Sequence, residues 1–160
     1  MTIQFVVETG TGKTDATAYI TVAEFKQYWE NRGRSFTQSD VVIHGWINQA
    51  TEYIDYTFQF KGCQVSDDQA LQFPRYGVIK FNGILIDSDI VPVQIKNSTA
   101  YIACQVGDSI NLNSLQTNIR SESYGPVSKS YSGSESMSFD YIKKQLMELI
   151  VSGNKILRVN

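Results

Sequence analysis

The sequence predicts an α+β fold, mainly helical: a small antiparallel helical bundle with an N-terminal strand and a protruding β-hairpin arm. Three observations carry this reading. Behind Ser39, the residues Ile43, Trp46, Ile47, Ala50, Tyr53, Ile54, Thr57 and Phe58 recur at the three- and four-residue spacing of one helix face. Thr21-Val22-Ala23-Glu24 has the pattern of a capping box, in which Thr21 and Glu24 each satisfy the other's free backbone N–H. β-rich residues are confined to short runs, Ile3–Glu8 (IQFVVE) and Val78–Ile86 (VIKFNGILI). At 160 residues the chain is expected to form one domain, 1–160, large enough to bury a core.

Taken in order, Ile3–Glu8 is read as a strand running into a glycine–threonine loop, TGTGKTDAT. The helix after Thr21 buries Val22, Phe25 and Trp29 and stops at Gly33. Ile20 before the cap and Phe25 at the fourth helical position form a hydrophobic staple. The long helix follows, capped by Thr37 or Ser39. Gly45 inside it costs about 1 kcal/mol relative to alanine and suggests close packing or a late start.

Beyond Phe58 a loop leads through Asp67-Asp68 to QALQFPRYG, where Leu71, Phe73 and Tyr76 cluster around Pro74-Arg75 with no helical period. Asn82-Gly83 is a hairpin-turn pair, so Val78–Ile86 is expected to be a two-stranded ribbon. Ser88-Asp89 and Pro92 start a helix reaching Val106. One stripe of it carries Val93, Lys96/Asn97, Ala100 and Cys104, another Ile95, Ile102 and Val106; such a helix is central or contacts a second subunit. Ser121–Ser138 is serine-rich around Gly125-Pro126 and is read as an extended arm over 121–138, with a plain linker as the other reading. A last helix from about Ser138 sets Phe139, Ile142, Leu146, Leu149 and Ile150 on one face and ends at Gly153, leaving a tail over 153–160.

Hydrophobic residues make up 42% and charged residues 19%, an ordinary globular balance. With 14 basic against 16 acidic residues the net charge is −2, whereas a protein built to grip phosphate backbones usually carries a basic surplus. Cys63 and Cys104 lie far apart and are expected to be reduced thiols. No charged-then-apolar leader and no apolar run near 18 residues is present, so neither secretion nor membrane spanning is expected.

The motifs that could carry chemistry are incomplete. Gly10-Thr11-Gly12-Lys13-Thr14 follows a strand, but a phosphate loop needs a glycine where Val7 stands and a helix directly after the loop. His44 is the only histidine and sits near the start of an amphipathic helix, on its polar face. One histidine and two cysteines at no recognised spacing fail a zinc site on ligand count. Asp67-Asp68 and Asp87/Asp89 read as turn and cap residues. Arg32/Arg34, Lys61, Arg75 and Lys143/Lys144 offer local positive charge, and with Tyr53, Phe60 and Tyr76 they could form a stacking surface for single-stranded nucleic acid; those aromatics also fit a core. No enzyme, metal or cofactor is expected.

Set in order, Ala18–Glu24, the Trp46-x₃-Ala50-x₂-Tyr53-Ile54-Asp55 helix, Gln69–Gly77, Pro92 and Ser121–Val127 resemble tailed-phage proteins labelled DnaT-like, which are similar in build to head-tail connector (head-completion, adaptor) proteins of the neck. The resemblance spans roughly Phe5 to Ile150, and its most specific piece is Gln-x-Leu-x-aromatic-Pro-Arg-x-Gly. The chain departs from the pattern with Phe73 in place of the common tryptophan and with a more serine-rich arm.

The resemblance implies a structural virion protein without cofactor or membrane, made and assembled in the host cytoplasm. It implies a self-assembled ring, dodecameric in such adaptors, that sits under the portal protein and extends the DNA channel. Genomic double-stranded DNA then passes without sequence-specific binding, and tail or nozzle/terminator proteins dock below. On that reading Phe73, Pro74, Arg75 and Gly77 are a structural motif, with Phe73 in the core, Pro74 fixing the turn and Arg75 pairing with a carboxylate or helix carbonyls. Tyr124, Pro126, Val127, Tyr131, Ile142 and Leu146 are candidate inter-subunit or portal contacts. The alternative is a single-stranded DNA-binding replication accessory protein, which predicts salt-dependent oligonucleotide binding.

Overall fold

The computed structural model describes residues 4–109 and 134–151. Four helices dominate: α1 (Val22–Glu30), α2 (Asp40–Thr57), α3 (Val93–Gly107) and α4 (Ser134–Leu146). Between α2 and α3 the short strands β1 (Cys63–Gln64) and β2 (Arg75–Tyr76) pair antiparallel, Cys63 opposite Tyr76 and Gln64 opposite Arg75. The fold is α+β and mainly helical.

The first helix starts as its sequence dictates. Thr21 Oγ1 accepts from the Glu24 N–H at 3.1 Å, Glu24 Oε2 accepts from the Thr21 N–H at 2.7 Å, and both Ile20 and Phe25 are buried. At its far end Gly33 takes a positive φ of 76°, and the Arg34 N–H returns to the Trp29 carbonyl. Tyr28 fills the core where Trp29 was expected; Trp29 is half-buried and donates its indole N–H to the Ala100 carbonyl at 3.0 Å.

On α2, Ile43, Ile47, Ala50 and Ile54 are fully buried. Gly45 has open space around it, so neither close packing nor a late start accounts for it. The largest helix contact is α2 against α3, and α3 also meets α1 and α4. Most of both apolar stripes is covered within the chain: Ile95, Ala100, Ile102, Ala103 and Cys104 are all buried, while Val93 in the first turn keeps 61% of its surface in solvent and Val106 is half-buried. The central alternative holds, and lateral subunit packing is not needed to explain this helix.

Val78–Ile86 forms the expected antiparallel ribbon, closed by the Ile79–Leu85 bridge and by the Lys80 N–H to the Ile84 carbonyl and the Ile86 N–H to the Val78 carbonyl at 2.9 Å each. Two elements differ from the sequence reading. The N-terminal strand reduces to one parallel bridge, Val7 with Ala18, because the chain turns at Glu8 to wrap its carboxylate. The last helix begins at Ser134, taking in residues assigned to the arm, and stops at Leu146. It stops there because the following backbone is captured elsewhere: the Lys61 N–H donates to the Leu149 carbonyl, the Val151 N–H donates to the Gln59 carbonyl (2.8 Å each), and Ile150 bridges Phe60. The rest of the predicted arm and tail, with Gly153, lies outside the described residues.

Candidate functional site

The Gln69–Gly77 segment is built around buried polar groups. Gln69 accepts from the Val65 and Ser66 N–H groups and donates to the Leu71 and Pro74 carbonyls, all within 3.1 Å. Phe73 is buried against Phe60, and the Phe73–Pro74 peptide is cis. Arg75 directs its guanidinium inward: Nε donates to the Lys61 carbonyl at 2.8 Å, Nη1 to the Gln72 carbonyl and side chain, Nη2 to the Gly62 and Phe60 carbonyls. Its partners are loop carbonyls and not a carboxylate. Gly62 must be glycine, since a Cβ there would collide with the Tyr76 carbonyl oxygen. Gly77 also adopts a positive φ, 75°.

A buried pair ties this loop to the helices. Tyr19 donates its hydroxyl to Asp55 Oδ1 at 2.5 Å and accepts from the Phe73 N–H at 3.1 Å, while Asp55 Oδ2 accepts from the Gln72 N–H at 3.0 Å. Burial pushes the Asp55 carboxyl up to about 6, against the lowering pull of those hydrogen bonds and of Arg75. Burial and the neighbouring Asp55 charge raise Tyr19 well above the ordinary phenol range. These groups are satisfied by one another, so the segment holds the fold together and leaves few polar atoms for a ligand.

The glycine–threonine loop does form an anion nest, and the chain fills it itself. Glu8 is buried and its carboxylate accepts from the N–H groups of Gly10, Thr11, Gly12 and Lys13 at 2.7–3.1 Å. Burial works to raise the Glu8 carboxyl, but the four donors prevail and hold it below its usual value. Lys13 Nζ donates to the Val7 carbonyl at 2.6 Å instead of reaching outward.

The remaining candidates are dispersed. The half-buried His44 stacks on Phe5 with ring centroids 3.9 Å apart. Cys104 is buried beside Asp108, its thiol pushed up to about 12 mainly by burial, whereas Cys63 is exposed on β1. Among the described residues no three His, Cys, Asp or Glu side chains group as metal ligands, and no described helix is long and apolar enough to cross a membrane. Arg34 pairs with Asp108 at 2.6 Å, and Arg32 lies 3.6 Å over the Tyr28 ring.

Of the three aromatics expected at a stacking surface, Tyr53 and Phe60 are buried, and Tyr76 alone is open, at 53%. The structure adds one the sequence reading missed: Phe81, 64% exposed, immediately before the Asn82-Gly83 turn. A signal was present. A residue beside a tight turn has few neighbours to cover it, and in VIKF the alternation sets Phe81 opposite the buried Val78. Lys61 Nζ sits 4.9 Å from the Phe81 ring and also donates to the Glu148 carbonyl, just beyond the last turn of α4, where Lys143 and Lys144 are exposed. Lys61 thus links the open Phe81 ring to the chain just after α4, and Tyr76 stands on β2 opposite Cys63, two residues beyond Lys61.

Ile142 and Leu146, expected at a subunit or portal contact, are fully buried in the chain's own core and have no surface left for a second molecule. Tyr124, Pro126, Val127 and Tyr131 lie outside the described residues.

A family model described as "Putative DnaT-like ssDNA binding protein" matches residues 3–160. That match corrects the adaptor reading: the family is described by DnaT likeness and single-stranded DNA binding and not as a neck protein, so the head-tail connector role, the virion neck and the portal, tail and double-stranded DNA partners are withdrawn. No curated protein and no solved structure shows a match.

Proposed function

The chain belongs to the DnaT-like ssDNA-binding family, and from that premise we propose that it binds single-stranded DNA as a non-catalytic accessory protein, through the surface that carries Tyr76, Phe81 and Lys61. Unpaired bases stack on the two open rings, and the phosphates between them meet Lys61 and the exposed Lys143 and Lys144. Stacking suits this chain better than backbone grip, because its net charge is −2 while each base stacked on an aromatic ring contributes about 1–3 kcal/mol whatever its sequence. The observation that carries the reading is Phe81: an aromatic ring left 64% exposed with a lysine ammonium 4.9 Å from its centre. A ring in that setting offers a base one open face and a phosphate a nearby cation.

The test is fluorescence anisotropy of a labelled oligo(dT). Phe81→Ala and Tyr76→Ala should each weaken binding by roughly 5- to 100-fold, in keeping with the loss of one stacked base, and leave the melting temperature close to that of the parent chain. Affinity unchanged by both substitutions, or no binding by the parent, rules the surface out.

A further inference from the structure

A pocket of about 270 Å³ lies where the second half of α2 meets the Gln69–Gly77 segment. That is just under the roughly 300 Å³ at which pockets for drug-sized ligands begin, so it suits one flat heterocycle. Tyr56 lines it and keeps 89% of its surface in solvent, more than Phe81 or Tyr76. An aromatic ring that open beside a cavity is a platform on which a base can stack.

The polar side chains of the pocket define what fits beside that ring. Asp55 is already engaged, since its oxygens accept from the Tyr19 hydroxyl and the Gln72 N–H. Glu52 is exposed, one turn before Tyr56 on α2, and takes part in no ion pair among the described residues. Asn48 donates its amide to the Gln4 carbonyl at 3.1 Å, and its Oδ1 is buried without a partner, an acceptor that an incoming N–H satisfies. Gln72 is fixed the other way round: its Oε1 accepts from Arg75 Nη1 at 2.9 Å, which leaves its Nε2 as the free donor. A cationic side chain would meet the acceptors and leave the Gln72 amide unmet. The edge of a nucleobase carries donors and acceptors side by side and meets both.

We propose that this pocket reads one unpaired base of bound single-stranded DNA and selects guanine. The N1–H and N2–H of guanine present two adjacent donors to the Glu52 carboxylate, and the second N2 hydrogen goes to Asn48 Oδ1. Its O6 accepts from the Gln72 amide, and its ring stacks on Tyr56. Thymine offers a carboxylate a single N–H, and cytosine and adenine each offer one amino group. The inference rests on the DNA-binding reading and adds a base preference to it. Arg75 joins the two regions, with Nη1 on Gln72 and Nε on the Lys61 carbonyl.

Fluorescence anisotropy tests it, comparing labelled oligo(dT) with the same oligonucleotide carrying one central dG or one deoxyinosine, which lacks the 2-amino group. The parent chain should bind the dG strand roughly 5- to 100-fold more tightly than oligo(dT), the discrimination that one bidentate pair supplies. The inosine strand should lose most of that advantage. Glu52→Gln and Tyr56→Ala, both at exposed positions, should remove the preference without lowering the melting temperature, and Glu52→Gln should leave oligo(dT) affinity unchanged. Equal affinity for dG and dT strands, an inosine strand as tight as dG, or a preference undiminished in Glu52→Gln overturns the proposal. Oligo(dT) binding that persists without a dG preference sinks the pocket alone, whereas no binding to any strand removes the DNA-binding reading with it.

Discussion

Asp55 is a carboxyl that the fold uses against its own preference. It is held in a mostly buried position with a pKa raised from 3.8 to about 6, so between those values the folded chain binds a proton that the unfolded chain releases. Stability from this residue is therefore fully present below about pH 4 and lost as pH rises to 6. The upper bound is about 3 kcal/mol, from 1.36 kcal/mol per pKa unit. Glu8 has the opposite sign: its lowered pKa gives stability present above the ordinary glutamate value of about 4.5 and lost as pH falls below it. Glu24, Asp40 and Asp108 are lowered as well, so among the described carboxylates with a resolved shift Asp55 alone acts between pH 4.5 and 6. Urea unfolding across that window should show stability decreasing with pH in the parent chain and a flatter profile in Asp55→Asn. Equal slopes in the two chains would refute the assignment.

At the scale of elements, two helical glycines that look alike in sequence have opposite surroundings. A Cβ on Gly45 meets nothing within 4 Å, so Gly45→Ala should stabilise the chain by about 0.5–1 kcal/mol through helix propensity alone. A Cβ on Gly107 comes within 2.9–3.0 Å of the Trp46 ring, so Gly107→Ala should destabilise by about 1–3 kcal/mol as that ring is displaced. Thermal denaturation of the two variants should move the melting temperature in opposite directions. How far each element could be read from sequence follows the range of its contacts. The capping box and staple of α1 and the apolar stripe of α2 depend on residues within one or two turns, and both were legible. The end of α4 was not, because the chain leaves the helix after Leu146 to let the Leu149 carbonyl and the Val151 N–H bond Lys61 and Gln59, more than eighty residues earlier. The N-terminal strand failed for a similar reason: its β-type side chains say nothing of the Glu8 carboxylate that bends the chain into a loop.

The whole molecule carries little net charge, and the candidate site reflects that. Its open rings could be found only in part from sequence, since exposure is a property of the assembled surface: Tyr53, Phe60 and Tyr76 are equally aromatic, yet only the last is uncovered. Arg75 was misleading as a source of positive charge, because its donors are taken up by carbonyls of the loop. That leaves Lys61 beside the Phe81 ring and the exposed Lys143 and Lys144 as the cations of the proposed surface. Log affinity for single-stranded DNA should then fall against log salt with a slope near −2, at about −0.7 for each phosphate neutralised. A titration from low to moderate salt that gave a slope steeper than about −5 would place binding on a basic surface other than this one.

The Gly10–Lys13 loop has a further consequence. Four amide hydrogens that could receive a phosphate already hold a carboxylate tethered two residues upstream. A diffusing nucleotide must displace a competitor whose local concentration is set by that short tether, far above the millimolar level of any free anion. The loop is in effect a receptor supplied with its own antagonist, and nucleoside triphosphates at physiological levels should leave the protein untouched.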